Sequence, residues 1–149
     1  MEYESDSSFV AKFPEPVTIG SMVTVVGKMN NDVRFDFNLV CIPSGDKALH
    51  CAFRLNERRV VRNHSTYSPS FWGEEEVEGG WPIKESGQFE VALKVQADHL
   101  EIYVDGKWFV DFLHRLPYSK ITHINGTVGA DYTSIKFEKT TKSAVKTTP

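Results

Sequence analysis

Residues 88–112 read QFEVALKVQADHLEIYVDGKWFVDF, and this stretch decides the fold. Phe89, Val91, Leu93 and Val95 alternate with Gln88, Glu90, Ala92 and Lys94, a period of two that sends successive side chains to opposite faces of a strand. Leu100, Ile102 and Val104 repeat the pattern and run into Asp105-Gly106, a dipeptide suited to the positive φ angles of a tight hairpin turn. Trp108, Val110 and Phe112 follow in phase on the return. Outward from this meander the period persists. Val33, Phe35, Phe37 and Leu39 alternate with Arg34, Asp36 and Asn38, and Cys51, Phe53 and Leu55 alternate with His50, Ala52 and Arg54. Further strands are expected at 17–27, 59–64, 121–128 and 132–138. No helical stripe occurs, and the charge-rich GEEEVEGG at 73–80 is short and closed by glycines. Many short strands with turn punctuation predict an all-β fold, a two-sheet antiparallel β-sandwich.

The chain has 149 residues, with 40% apolar and 25% charged side chains, the size and balance of one globular domain. Ten Phe, five Tyr and three Trp supply bulk for a core and exclude wholesale disorder. Residues 1–8 are acidic and polar and 139–149 are Lys/Thr-rich, so both are expected to be flexible tails around a domain at 9–138. The net charge of −3 argues against nucleic acid as the main partner, because phosphate binding needs a positive field. No apolar run is long enough to insert in a bilayer, and the N-terminus has neither the basic nor the apolar region of a signal peptide, so a cytoplasmic location is expected. Cys41 and Cys51 cannot build a disulfide framework and read as reduced, buried thiols. The five histidines show no metal-ligand spacing, so no metal and no cofactor are expected.

The outward residues at 50–54 do not suit a solvated sheet face. If Cys51, Phe53 and Leu55 point to the core, His50 and Arg54 share the opposite face. Asn63 has the parity of Val61 rather than Arg62, and Trp72-Gly73-Glu74-Glu75 follows a short loop. With neighbouring strands antiparallel, His50, Arg54, Asn63 and Glu75 can line one face, with Trp72 at its edge. Each alone has an ordinary explanation, as a surface charge, a core indole or part of an acidic patch. Together they offer charged and amide donors, a carboxylate and an apolar ring, which is the chemistry a sugar requires. Hydrogen bonds read the fixed directions of pyranose hydroxyls, and the ring's C–H face lies on an aromatic plane.

These residues resemble the galectin carbohydrate-recognition domain, whose pattern runs H-x-N-P-R, then V-x-N, then W-G-x-E-x-R. His50, Arg54, Asn63, Trp72, Gly73 and Glu75 match at the right order and spacing, supported by FDFNL at 35–39, WPI at 81–83 and VDG at 104–106. The resemblance extends from about Phe13 to Phe137. It implies a jelly-roll sandwich and a metal-independent lectin, not an enzyme, whose partners are galactose-containing glycans. His50 and Arg54 would bond the axial 4-hydroxyl of galactose, Asn63 and Glu75 its 6-hydroxyl, and Trp72 would stack under the ring. Glu75 would also pair with Arg54. Dimerisation through sheet edges and export independent of a signal peptide are family habits that the resemblance allows here.

Three positions depart from the pattern: Ala52 and Phe53 replace its Asn and Pro, and Val77 replaces its final Arg. The first removes a ligand to the 4-hydroxyl and the last a contact to the neighbouring sugar. The Asn56-Glu57-Arg58 connection is also short. Such losses weaken lactose binding by roughly 10- to 1000-fold or redirect specificity towards another galactoside. A galectin-fold protein that binds no sugar and acts through protein contacts is the alternative. A glycoside hydrolase would need two carboxylates flanking one bond. The face offers only Glu75, since Glu74 and Glu76 point the other way on an extended chain.

Overall fold

The computed structural model of the protein describes residues 8–140 and Lys146. The strands are β1 (Phe9–Lys12), β2 (Ser21–Met29), β3 (Arg34–Cys41), β4 (Asp46–Arg54), β5 (Arg59–Thr66), β6 (Phe71–Trp72), β7 (Gln88–Val95), β8 (His99–Val104), β9 (Lys107–Leu113), β10 (His123–Gly126) and β11 (Ala130–Lys139). All named pairs are antiparallel, and they form two sheets ordered β1-β10-β3-β4-β5-β6 and β11-β2-β7-β8-β9. The all-β two-sheet expectation is met. The expected tails at 1–8 and 139–149 lie mostly outside the described residues; within them, β11 runs to Lys139, and the Thr140 amide donates to Gly20 O at 2.9 Å.

The alternating apolar residues meet between the sheets. Phe35 stacks on Phe53 at 4.9 Å within one sheet and on Phe89 of the other at 4.5 Å, with Phe37, Val91, Ile102 and Phe112 packed into the same core. Burying aliphatic and aromatic side chains of this size contributes about 1.5–3 kcal/mol each before chain entropy is counted. Cys41 and Cys51 are free thiols within this core, and burial pushes Cys51 up to about 12. Asp105 (φ 52) and Gly106 (φ 79) form the expected hairpin with both central residues at positive φ.

Two local readings are corrected. Leu55 is not a core strand residue: β4 ends at Arg54, and Leu55–Glu57 forms a 3₁₀ turn closed by Arg58 in the left-handed region, which leaves Leu55 half-buried. Trp108 is out of phase with Val110, because a bulge shifts the β8–β9 register between Ile102 and Tyr103. Phe109 becomes the extra residue packed against the core, while Trp108 opposes Tyr103 on the outer face and its indole donates to Asp111 Oδ1 at 2.8 Å. Arg62 is fully buried on the core parity of β5, where it donates to Val60 O, Glu78 O and Glu78 Oε1 at 2.7–2.8 Å.

Candidate functional site

The strand order β3-β4-β5-β6 carries the sequence-predicted residues to one face. Cross-strand partners form rows: Asn38–His50–Asn63, Asp36–Ala52–Val61 and Arg34–Arg54–Arg59. Strand parity turns these rows away from the core, since Phe35, Phe37, Cys51, Phe53 and Val60 occupy the inner parity. Trp72 stands on the two-residue edge strand β6, opposite Ser65. An open groove of about 520 Å³ is lined by His50, Arg54, Asn63, Trp72 and Glu75, the five predicted residues, together with Arg34, Asp36, Lys47 and Gly73. The indole of Trp72 is 50% exposed, so it is not core.

His50 is held by a relay. Asn125 Oδ1 accepts from Asn38 Nδ2 at 2.7 Å, which turns Asn38 Oδ1 towards His50 Nδ1 at 2.8 Å. That contact requires the proton on Nδ1 and leaves Nε2 as an acceptor. Burial is the main cause that lowers His50 to about 4; Asp36 opposes the shift, and the cations Lys47, Arg34 and Arg54 add to it. The imidazole is therefore neutral near pH 7. Its ring meets the Trp72 indole edge-on at 5.0 Å, and Lys47 Nζ lies 5.4 Å from the indole centroid.

Arg54 reaches Glu57 Oε2 at 3.4 Å and Glu75 Oε2 at 3.8 Å, so its pairing with Glu75 is a charge contact longer than a good hydrogen bond. Its Nε is buried and has no hydrogen-bond partner in the protein. Asn63 is fixed more tightly. Its Nδ2 donates to Gly73 O at 2.9 Å, while its Oδ1 accepts from the His64 amide at 2.8 Å and from Arg115 Nη1 at 2.9 Å. The Gly73 bond uses one of the two Nδ2 hydrogens, so Asn63 keeps donor capacity. Arg115 also donates to Glu76 Oε2 at 2.8 Å, which keeps Glu76 on this supporting network and out of the groove. A Cβ on Gly73 would meet the His64 ring and Arg115, so the glycine lets β6 lie close to β5.

Sequence reasoning missed four contributors. Arg34 and Asp36 share the parity of Asn38 on β3, so the alternation that found His50 could have found them. Lys47 has core parity on β4, but a register shift leaves Ala48 as the extra residue and turns Lys47 outward. Arg115, far from Asn63 in sequence, carries no local signal. A separate cluster lies on the five-stranded sheet, where His99, Glu101 and Asp111 bring ligand atoms within 4.8 Å of one another. The histidine spacing gave no hint of it, because Asp111 arrives by cross-strand pairing with Glu101. Lys146 Nζ, 2.7 Å from Glu101 and 3.0 Å from Asp111, provides a cation there.

Comparison with known proteins agrees with this architecture. The profile of the family described as galactoside-binding lectin matches residues 8–137. The chain is 31% identical over 129 residues to a 32 kDa beta-galactoside-binding lectin of Haemonchus contortus, covering 83% of this chain and 44% of that protein. A protein of the same name from Caenorhabditis elegans is 33% identical over 111 residues, covering 71% and 39%. Human galectin-4 is 29% identical over 141 residues, covering 91% and 42%. The chain thus spans less than half the length of these relatives. The crystal structure of a C. elegans galectin, LEC-6, superimposes with a TM-score of 0.80 at 22% identity, covering 92% of this chain and 94% of that one.

Proposed function

The chain belongs to the galactoside-binding lectin family, a family of carbohydrate-binding proteins rather than enzymes, and from that premise we propose that it binds β-galactosides, without a metal ion, in the groove lined by His50, Arg54, Asn63, Trp72 and Glu75. The observation that carries this reading is the half-exposed Trp72 residue lining one groove with a neutral imidazole and the Arg54 guanidinium. The apolar face of galactose covers the indole and sheds water from both surfaces. Its axial 4-hydroxyl donates to His50 Nε2 and accepts from Arg54. The 6-hydroxyl accepts from the remaining Asn63 N–H and donates to Glu75, so each hydroxyl is read as donor and acceptor at once.

Ala52 and Val77 set how this lectin differs from the family pattern. Without an amide at 52 and a guanidinium at 77, lactose gains fewer polar contacts, and we expect altered specificity or weakened lactose affinity. A glycan array probed with the folded wild-type protein and with Ala52→Asn tests this. The expected result is galactose-terminated hits for the wild type and stronger lactose binding for the variant. An array with no galactose-terminated hit, from protein whose sandwich is verified by circular dichroism, would favour a galectin-fold protein that works through protein contacts.

A further inference from the structure

Position 52 is where the groove lacks a polar side chain, and the structure has a polar group immediately beside it. Ala52 is completely buried although it has the groove parity. Its cross-strand neighbours are Asp36 on β3 and Val61 on β5, and directly opposed residues of an antiparallel pair have Cβ atoms about 4.5–5.5 Å apart. Asp36 lines the groove and is only 9% exposed. We infer that Asp36, held in place by Arg34, is a specificity-determining acceptor for the 3-hydroxyl of the galactoside and makes up in part for the amide missing at position 52. This inference rests on the galactoside reading above.

Strand order and the connectivity of a pyranose fix which hydroxyl is involved. The 4-hydroxyl sits over β4, where His50 and Arg54 receive it. The C6 arm, carried on C5, reaches Asn63 on β5 and Glu75 beyond it. C3 and C5 flank C4 on opposite sides of the ring, so C3 must lie towards β3, the strand on the other flank of β4. The groove-lining carboxylate on β3 is that of Asp36.

The carboxylate is well fixed for this work. Arg34 Nε donates to Asp36 Oδ1 at 3.2 Å and Arg34 Nη2 donates to Oδ2 at 2.7 Å, a two-point grip from two residues away on the same face. The Asp36 amide donates to Thr127 Oγ1, and its carbonyl accepts from the Thr127 amide, both at 2.9 Å, so the backbone beneath is anchored to the segment after β10. Each carboxylate oxygen keeps acceptor capacity beyond the arginine bond. The field of Asp36 also acts on the His50 imidazole, consistent with a carboxylate beside the 4-hydroxyl position. A carboxylate only accepts. The ligand must therefore present a hydrogen at O3, and an anionic substituent there meets like charge.

The test is isothermal titration of the full chain with methyl β-galactoside and with its 3-deoxy and 3-O-sulfated analogues, using wild type, Asp36→Asn and Asp36→Ala. Far-UV circular dichroism checks that the variants fold, and the isosteric Asn variant keeps the experiment decisive if the alanine variant does not. The wild type is expected to bind the 3-deoxy sugar about 10- to 100-fold more weakly than the parent, the range for a hydrogen bond to a charged group. That gap should shrink in Asp36→Asn and close in Asp36→Ala, and the sulfated sugar should bind the wild type more weakly than the parent. A gap unchanged in both variants, with the parent sugar still bound, would overturn the role of Asp36 alone. Tighter wild-type binding of the sulfated sugar would do the same and make Arg34 the reader of an anion. Failure of the wild type to bind any of the three sugars would overturn the galactoside reading itself, and this inference with it.

Discussion

An unperturbed histidine titrates near pH 6.5; His50, largely buried in the groove lining and near the cations Lys47, Arg34 and Arg54, is lowered to about 4. Because its folded pKa lies below the unfolded value, the unfolded chain binds the proton more readily. The stability contributed by neutral His50 is fully present above about pH 6.5 and is lost as pH falls from there towards 4. In the proposed binding mode the affinity follows the same proton, since Nε2 can accept from the 4-hydroxyl only while bare. Galactoside affinity should be flat from pH 8 to about 5 and decline towards pH 4. A pH titration of the His50 ring signals by NMR, with and without ligand, measures this, and a midpoint near 6.5 would contradict it. At this scale much of the site was legible. His50, Arg54, Asn63, Trp72 and Glu75 each has an ordinary explanation alone, and their joint parity and spacing gave them away. Arg34 and Asp36 are equally legible by parity, but FDFNL at 35–39 enters the sequence reading only as a match supporting the family resemblance outside the site, and Arg34 only as an outward strand residue.

Among the strands, what stayed hidden was the bulges. Period two reads a strand correctly until one extra residue enters; beyond it every side chain changes face. Ala48 does this to Lys47, bringing an ammonium over the Trp72 indole, and Phe109 does it to Trp108. Edge strands β1 and β6 are too short for any period to show. On β5 the parity held, and it sets an arginine where an apolar residue was due. The two Nη atoms of Arg62 reach two backbone carbonyls and Glu78 from a dry position, while its Nε is buried without a partner. Arg62→Met keeps the volume but leaves Val60 O and Glu78 O without these donors, at about 1–3 kcal/mol for each acceptor stranded. Chemical denaturation should show a loss of about 2–4 kcal/mol. A variant as stable as the wild type would mean that the buried charge contributes nothing net, as some buried ion pairs do.

Across the whole molecule, the sandwich separates the core residues from the groove residues. One face of the six-stranded sheet closes the aromatic core, and the other presents a groove supported by residues from distant segments: Asn125, Thr127 and Arg115. The two-sheet architecture was legible because each strand wrote its own alternation. The strand order and these supports were not, because they depend on contacts between segments 50 to 90 residues apart. Among the described residues the grouping with metal-ligand proximity is His99, Glu101 and Asp111, which lies outside the groove; under the proposed binding mode galactoside affinity should be unchanged by EDTA in a titration, and chelator sensitivity would contradict it.

The most direct measurement follows the indole Nε1–H of Trp72 by two-dimensional NMR as methyl β-galactoside is added, in the wild type and in Trp72→Ala. In the wild type, saturable shifts should be concentrated at Trp72 and at the amides of His50, Arg54, Asn63 and Glu75. The variant should keep the folded spectrum and lose those shifts. Unfolding of Trp72→Ala, or shifts that survive it, would show that the sugar does not rest on this ring.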